Sequence, residues 1–164
     1  MTQQAQDVVL RISRRFDAPR ERVFDAWTNS DVLLDWWRAG PHWETPTAEV
    51  DLRPGGRYRL AMTDTDKNET HIVVGEYKEI QPPERLVYTW SWESKTDEMA
   101  GSENTLVTVE FAEADGGTEV SLTHSGFAGE EIRDLHTHGW EAVLANLERH
   151  LSPGGRRERD RPRV

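Results

Sequence analysis

The chain has 164 residues and a formal net charge of −10, with 30 Asp and Glu against 20 Lys and Arg, no Cys and seven Trp. So acidic a chain is a poor partner for nucleic-acid phosphates, and without cysteine it has neither disulfides nor thiolate chemistry. No apolar run approaches the length of a membrane span and Met1–Asp7 has no signal-peptide pattern, so a soluble, cytoplasmic protein with no membrane partner is expected.

Residues 1–6 read as a disordered N-terminus and residues 7–151 as one domain. Asp7–Phe16 alternates Val8, Leu10 and Ile12 with Arg11 and Ser13, the pattern of a half-buried strand. Asp17-Ala18-Pro19 opens a helix, with Asp17 expected as its N-cap and Val23, Phe24 and Trp27 as its apolar stripe. Asn29-Ser30-Asp31 starts a second short helix carrying Leu33, Leu34, Trp36 and Trp37, and Ala39-Gly40-Pro41 ends it. Strand signals follow over Thr47–Leu52, Arg57–Met62, Glu69–Ile80, Leu86–Trp92, Thr105–Phe111 and Thr118–His124. Between them lie turn signals at Arg53-Pro54-Gly55-Gly56, Gln81-Pro82-Pro83-Glu84 and Asp115-Gly116-Gly117, and a charged, mobile loop over Glu93–Glu103.

The stretch Gly129–Leu151 predicts one long helix. Ile132, Leu135, Trp140, Val143, Leu144, Leu147 and Leu151 recur mostly at three and four, with Gly139 in register between Leu135 and Val143. Glu130 and Glu131 in its first turn and Arg149 and His150 in its last suit the helix dipole. Ser152-Pro153-Gly154-Gly155 stops it. Residues 152–164 read as an Arg-rich disordered tail. The order is strand, two helices, about six strands, helix. That order makes the chain α+β with an antiparallel meander rather than a doubly wound sheet.

Asp17-Ala18-Pro19 with Val23, Phe24 and Trp27, then Leu34 and Trp36, DLRPGGR (51–57), GEYKEI (75–80), PPERLV (82–87) running on to Trp90, and LTHSGF (122–127) ahead of Gly139-Trp140 form a specific series in order and spacing. Over residues 7–151 the chain resembles the SRPBCC superfamily, also called START-like or birch-allergen-like. Within it, the chain looks like the bacterial homologues of the activator of heat-shock chaperone ATPase. The resemblance implies a helix-grip fold: a curved antiparallel sheet of about seven strands round the long C-terminal helix, two short helices closing one end, and a pocket between sheet and helix. The additional domain of a full cochaperone is not in the sequence, so a chaperone partner is not expected; a homodimer is left open.

No phosphate loop, nucleophile elbow or metal motif stands out, so no catalytic residue, cofactor or metal is assigned. His136 and His138, two apart on a helix, point to different sides and do not share an ion; Asp134 and His138 read as a polar pair on the solvated face. Strand parity places His71 with Val73 and Tyr77, and His124 with Val120 and Leu122, on the concave side. There each imidazole could meet a ligand or work as an acid–base group, or could simply be satisfied by nearby backbone. Arg57 and Arg59 fall on the convex, solvated face. The residues expected round the interior space are Trp37, Tyr58, Leu60, His71, Val73, Tyr88, Trp90, His124, Leu135 and Gly139. Their mostly apolar set suits a small hydrophobic or aromatic molecule. A cyclase- or hydrolase-like enzyme using the histidines, and a regulatory interaction protein, are the alternatives.

Overall fold

The computed structural model describes residues 8–38, 40, 42–93 and 104–151. The expected disordered ends, 1–6 and 152–164, and nearly all of the charged loop to Glu103 lie outside the described residues, as do Ala39 and Pro41.

The first strand, β1 (Val8–Phe16), leads into α1 (Arg20–Thr28) and α2 (Ser30–Trp36). Seven strands follow: β2 (Trp43–Glu44), β3 (Ala48–Val50), β4 (Arg57–Asp64), β5 (Glu69–Gln81), β6 (Arg85–Trp92), β7 (Thr105–Ala114) and β8 (Gly117–Phe127). The long helix α3 (Glu130–Leu151) closes the chain. The strands make one antiparallel sheet in the order β1-β8-β7-β6-β5-β4-β2, with β3 also pairing β4. The sheet has eight strands where about seven were expected. The extra one is the two-residue β2, too short for a period-2 signal.

Local chemistry sets the joints. Asp115 and Gly116 both take positive φ, 49° and 82°, in the two-residue turn that pairs Ala114 with Gly117. This is the turn whose twist matches a hairpin. Asn29 caps α2, its side chain accepting from the Asp31 N–H at 3.0 Å. Asp17 does not cap α1: the cap is Pro19, whose carbonyl takes the Arg22 and Val23 N–H groups at 3.0 and 3.1 Å. Thr118 Oγ1, on β8, bonds the Ala18 carbonyl at 2.7 Å and ties the bend between β1 and α1 to the sheet.

Helix α3 buries Ile132, His136, Trp140, Val143, Leu144, Asn146, Leu147 and Leu151. The straight i, i+4 line from Ile132 passes through His136, not Leu135, which is 41% exposed. A hydropathy reading prefers leucine to histidine. The geometry chooses the histidine because both of its nitrogens find partners. Arg14 Nε holds Glu148 Oε1 at 2.7 Å and fastens the last turns of α3 to β1. At the end closed by α1, Phe24, Trp27 and Phe111 pack edge to face, and Trp36 Nε1 donates to the Ala26 carbonyl at 2.9 Å.

Candidate functional site

Strand β4 points Tyr58, Leu60, Met62 and Asp64 to the concave side, because alternate residues share a face. Its far end, at the β4–β5 hairpin, stands off from α3. A cavity of about 330 Å³ opens there, lined by Trp37, Trp43, Met62, Asp64, Lys67, Glu69, His71, Trp90, Trp92, Leu135, His136, His138, Gly139, Trp140 and Val143. Five of its walls are indoles. Trp37–Trp140, Trp90–Trp140 and Trp90–Trp92 lie 5.5, 5.1 and 5.5 Å apart between ring centroids, and His71 continues the row beside Trp92 and Trp43.

Of the ten residues expected round the space, Trp37, His71, Trp90, Leu135 and Gly139 line this cavity. Tyr58, Leu60, Val73, Tyr88 and His124 do not. Tyr58, Leu60 and Tyr88 surround a second, nearly filled space of about 20 Å³ on the other side of Trp37 and Trp90. This part of the interior is instead filled by Tyr58, Tyr77 and Tyr88, whose rings pack at 5.2 to 6.0 Å. Burial raises the pKa of all three phenols, and Tyr58 donates to the Thr89 carbonyl at 2.5 Å. Val73 is fully enclosed. Parity carried further along the strands would have found Met62 and Asp64, two and four residues past Leu60, and Trp92, two past Trp90.

His124 is fully buried and satisfied by side chains. Its Nδ1 accepts from Trp140 Nε1 at 3.0 Å, and its Nε2 bonds Thr105 Oγ1 at 2.8 Å, whose own proton goes to the Trp90 carbonyl at 2.9 Å. Burial, with His136 nearby, pushes its pKa well down. His136 Nε2 accepts from Trp92 Nε1 at 3.0 Å while Nδ1 bonds the Ile132 carbonyl at 3.0 Å, and burial lowers its pKa. His71 is thus the one of the two candidate acid–base histidines that reaches the cavity; its Nε2 lies 3.8 Å from Glu69 Oε1.

His138, at the rim, stands 3.9 Å from Glu141, and Asp134 takes Arg133 at 2.8 Å, so the expected Asp134–His138 pair does not form. Arg59, on the convex face as expected, grips Glu93 with its Nε and Nη2 at 3.0 and 3.1 Å. Trp27, Trp36, Trp92 and Trp140 all have acceptors for their indole N–H. Trp37 and Trp90, which divide the two spaces, bury theirs with no partner among the described residues.

His42, Asp64 and Asp66 bring ligand-type atoms within 4.8 Å of one another. Asp64 Oδ1, however, already accepts the Asp66 and Lys67 N–H groups at 3.0 and 3.3 Å, closing the hairpin turn. No described helix is long and apolar enough to cross a membrane.

A family profile described as "Activator of Hsp90 ATPase homolog 1-like protein" matches residues 17–152. Among solved structures, a Chromobacterium violaceum protein is 24% identical with a TM-score of 0.77, over 88% of this chain and 98% of its own. A Rhizobium leguminosarum protein is 29% identical with a TM-score of 0.68, over 88% and 93%. An AHSA1-like protein from Aeromonas hydrophila is 26% identical with a TM-score of 0.71, over 87% and 91%. No curated protein matches the chain.

Proposed function

The chain belongs to the family of activator of Hsp90 ATPase homolog 1-like proteins, an SRPBCC-type domain of a kind that commonly binds ligands, and on that premise we propose that it binds a small hydrophobic or aromatic molecule in the cavity between β4–β6 and α3. The observation that carries this reading is the cavity itself: about 330 Å³ of open space walled by five tryptophans in an otherwise tightly packed interior. Interiors normally close such space, because walls that face a void forgo dispersion contacts. Its volume falls within the range of small-molecule sites, and its lining combines apolar and aromatic walls with polar groups at Asp64, Lys67, Glu69, His71, His136 and His138, the kind of mixture such sites use.

Acid–base chemistry has less to work with. His124 stands outside the cavity with both nitrogens engaged, and His136 has both of its nitrogens engaged as well.

Native mass spectrometry of the purified protein tests the reading. A retained small molecule, released on denaturation, is the expected result. Apolar probes should also change Trp fluorescence and raise Tm by mass action. If a panel of aromatic and aliphatic probes changes neither, the binding reading is wrong.

A further inference from the structure

We propose that the cavity selects a ligand with a cationic amine at one end, its apolar body against Trp90 and Trp92 and its ammonium at the mouth between Asp64 and Glu69, beside Trp43. This rests on the reading of the cavity as a small-molecule site.

Three neighbouring strands set up the mouth. Trp43 on β2 pairs with Asp64 on β4, and Asp64 pairs with Glu69 on β5, so an indole and two carboxylates stand in one row. All three line the cavity. Like charges directly opposed across a ladder repel, and a carboxylate withdrawn from water needs a compensating charge or donors. Asp64 is withdrawn: its side chain is only 7% exposed. Its Oδ1 takes two backbone N–H groups, and the nearest ionisable nitrogen among the described residues is His42 Nε2 at 3.6 Å.

Lys67, on the same hairpin, is the one Lys or Arg among the described residues of the lining, and His71 Nε2 lies 3.8 Å from Glu69 Oε1, so the mouth sets two carboxylates against one ammonium and one imidazole. Among the described residues no arginine lines the cavity to receive an anionic ligand. The remaining walls suit a cation as well. Indole faces attract ammonium groups, most strongly where water is excluded, and a chain with a net charge of −10 draws cations towards it.

Three probes of one length separate the outcomes: phenylpropylamine, phenylpropanol and phenylpropionate, titrated into the full chain at neutral pH and low salt by Trp fluorescence. The amine should bind about tenfold tighter than the alcohol, and the carboxylate weakest. Added salt should narrow the difference. Asp64→Asn keeps the Oδ1 acceptor for the turn and should shrink the amine's advantage over the alcohol from about tenfold to about twofold or less. Glu69→Gln, at an exposed position, should do the same in part and serves if Asp64→Asn fails to fold. An alcohol that binds as tightly as the amine, or an amine preference that survives both substitutions, overturns the proposal while leaving the cavity reading intact. If none of the three binds, the cavity reading falls and this proposal with it.

Discussion

Trp140 Nε1 donates to His124 Nδ1 at 3.0 Å, joining α3 to β8 inside the core. An indole nitrogen only donates, so this ring nitrogen of His124 carries no proton. The bond from Trp92 Nε1 to His136 Nε2, also 3.0 Å, joins β6 to α3 under the same constraint. Both imidazoles are therefore held neutral, and their rings lie 5.5 Å apart. The grip of the sheet on the helix depends on that neutrality.

Acid should loosen the fold through these two groups. Burial depresses both pKa values in the folded state. The unfolded chain therefore takes up protons first, below about pH 6.5. Stability is fully present above that value and is lost as pH falls through the folded-state pKa values. The slope should reach at most about 1.4 kcal/mol per pH unit for each histidine. Measurements of Tm from about pH 8 down to about pH 5.5 stay above the range of ordinary carboxylates. His136→Gln retains an acceptor for Trp92 and should flatten part of the slope. An unchanged slope in this variant would mean the acid sensitivity lies elsewhere.

The sequence displays the elements of this fold because their apolar residues follow the two regular periods, and because Asp115-Gly116 can do little but turn. The cavity is harder to read. Residues 58, 60, 62 and 64 all face inward on β4, yet only the last two meet open space. Periodicity reports the face of a strand and not its distance from the helix opposite. His136 was missed for a related reason. A histidine is interior only where partners exist for both nitrogens, and here they come from Trp92, 44 residues away, and from the backbone one turn back.

Gly75 is required by close approach. A Cβ there would lie 1.9 Å from the Thr89 carbonyl oxygen and 2.6 Å from the Tyr58 ring. The first contact is backbone within the sheet, so it cannot swing aside. Gly75→Ala should cost roughly 3 kcal/mol, the upper part of the range for overpacking, read as a lower midpoint in urea. A loss below about 1 kcal/mol would show that β5 and β6 can part locally.

Gly139 behaves in the opposite way. The sequence suggests that this helical glycine makes room and that alanine would bring no gain in stability. Apart from its chain neighbours and the helix's own backbone, the structure places no heavy atom within 4 Å of an added Cβ, and the residue lines the cavity. Gly139→Ala should therefore raise stability by about 1 kcal/mol, the helix-propensity difference, while its methyl group narrows the cavity and weakens the binding of bulky probes. Stabilisation without any change in probe affinity would make the position an ordinary helix site. A loss of stability would show that α3 sits closer to the sheet in solution.

Leu60 and Met62 share a face of β4 and differ in what lies beyond them. Leu60 borders the small space of about 20 Å³ among the tyrosines, whereas Met62 borders the cavity of about 330 Å³. A tryptophan at Leu60 has nowhere to go and should strain the core by roughly 1–3 kcal/mol. It should leave the affinity of apolar probes unchanged in the molecules that remain folded. A tryptophan at Met62 can turn into the open space. Met62→Trp should therefore cost less than about 1 kcal/mol, because the ring gains contacts with walls that now face a void, and it should weaken probe binding at least tenfold by filling the site. Urea midpoints and fluorescence titrations on the two variants make the comparison directly. Equal stability losses at the two positions, with binding unaffected in both, would mean that the space beyond Met62 closes in solution.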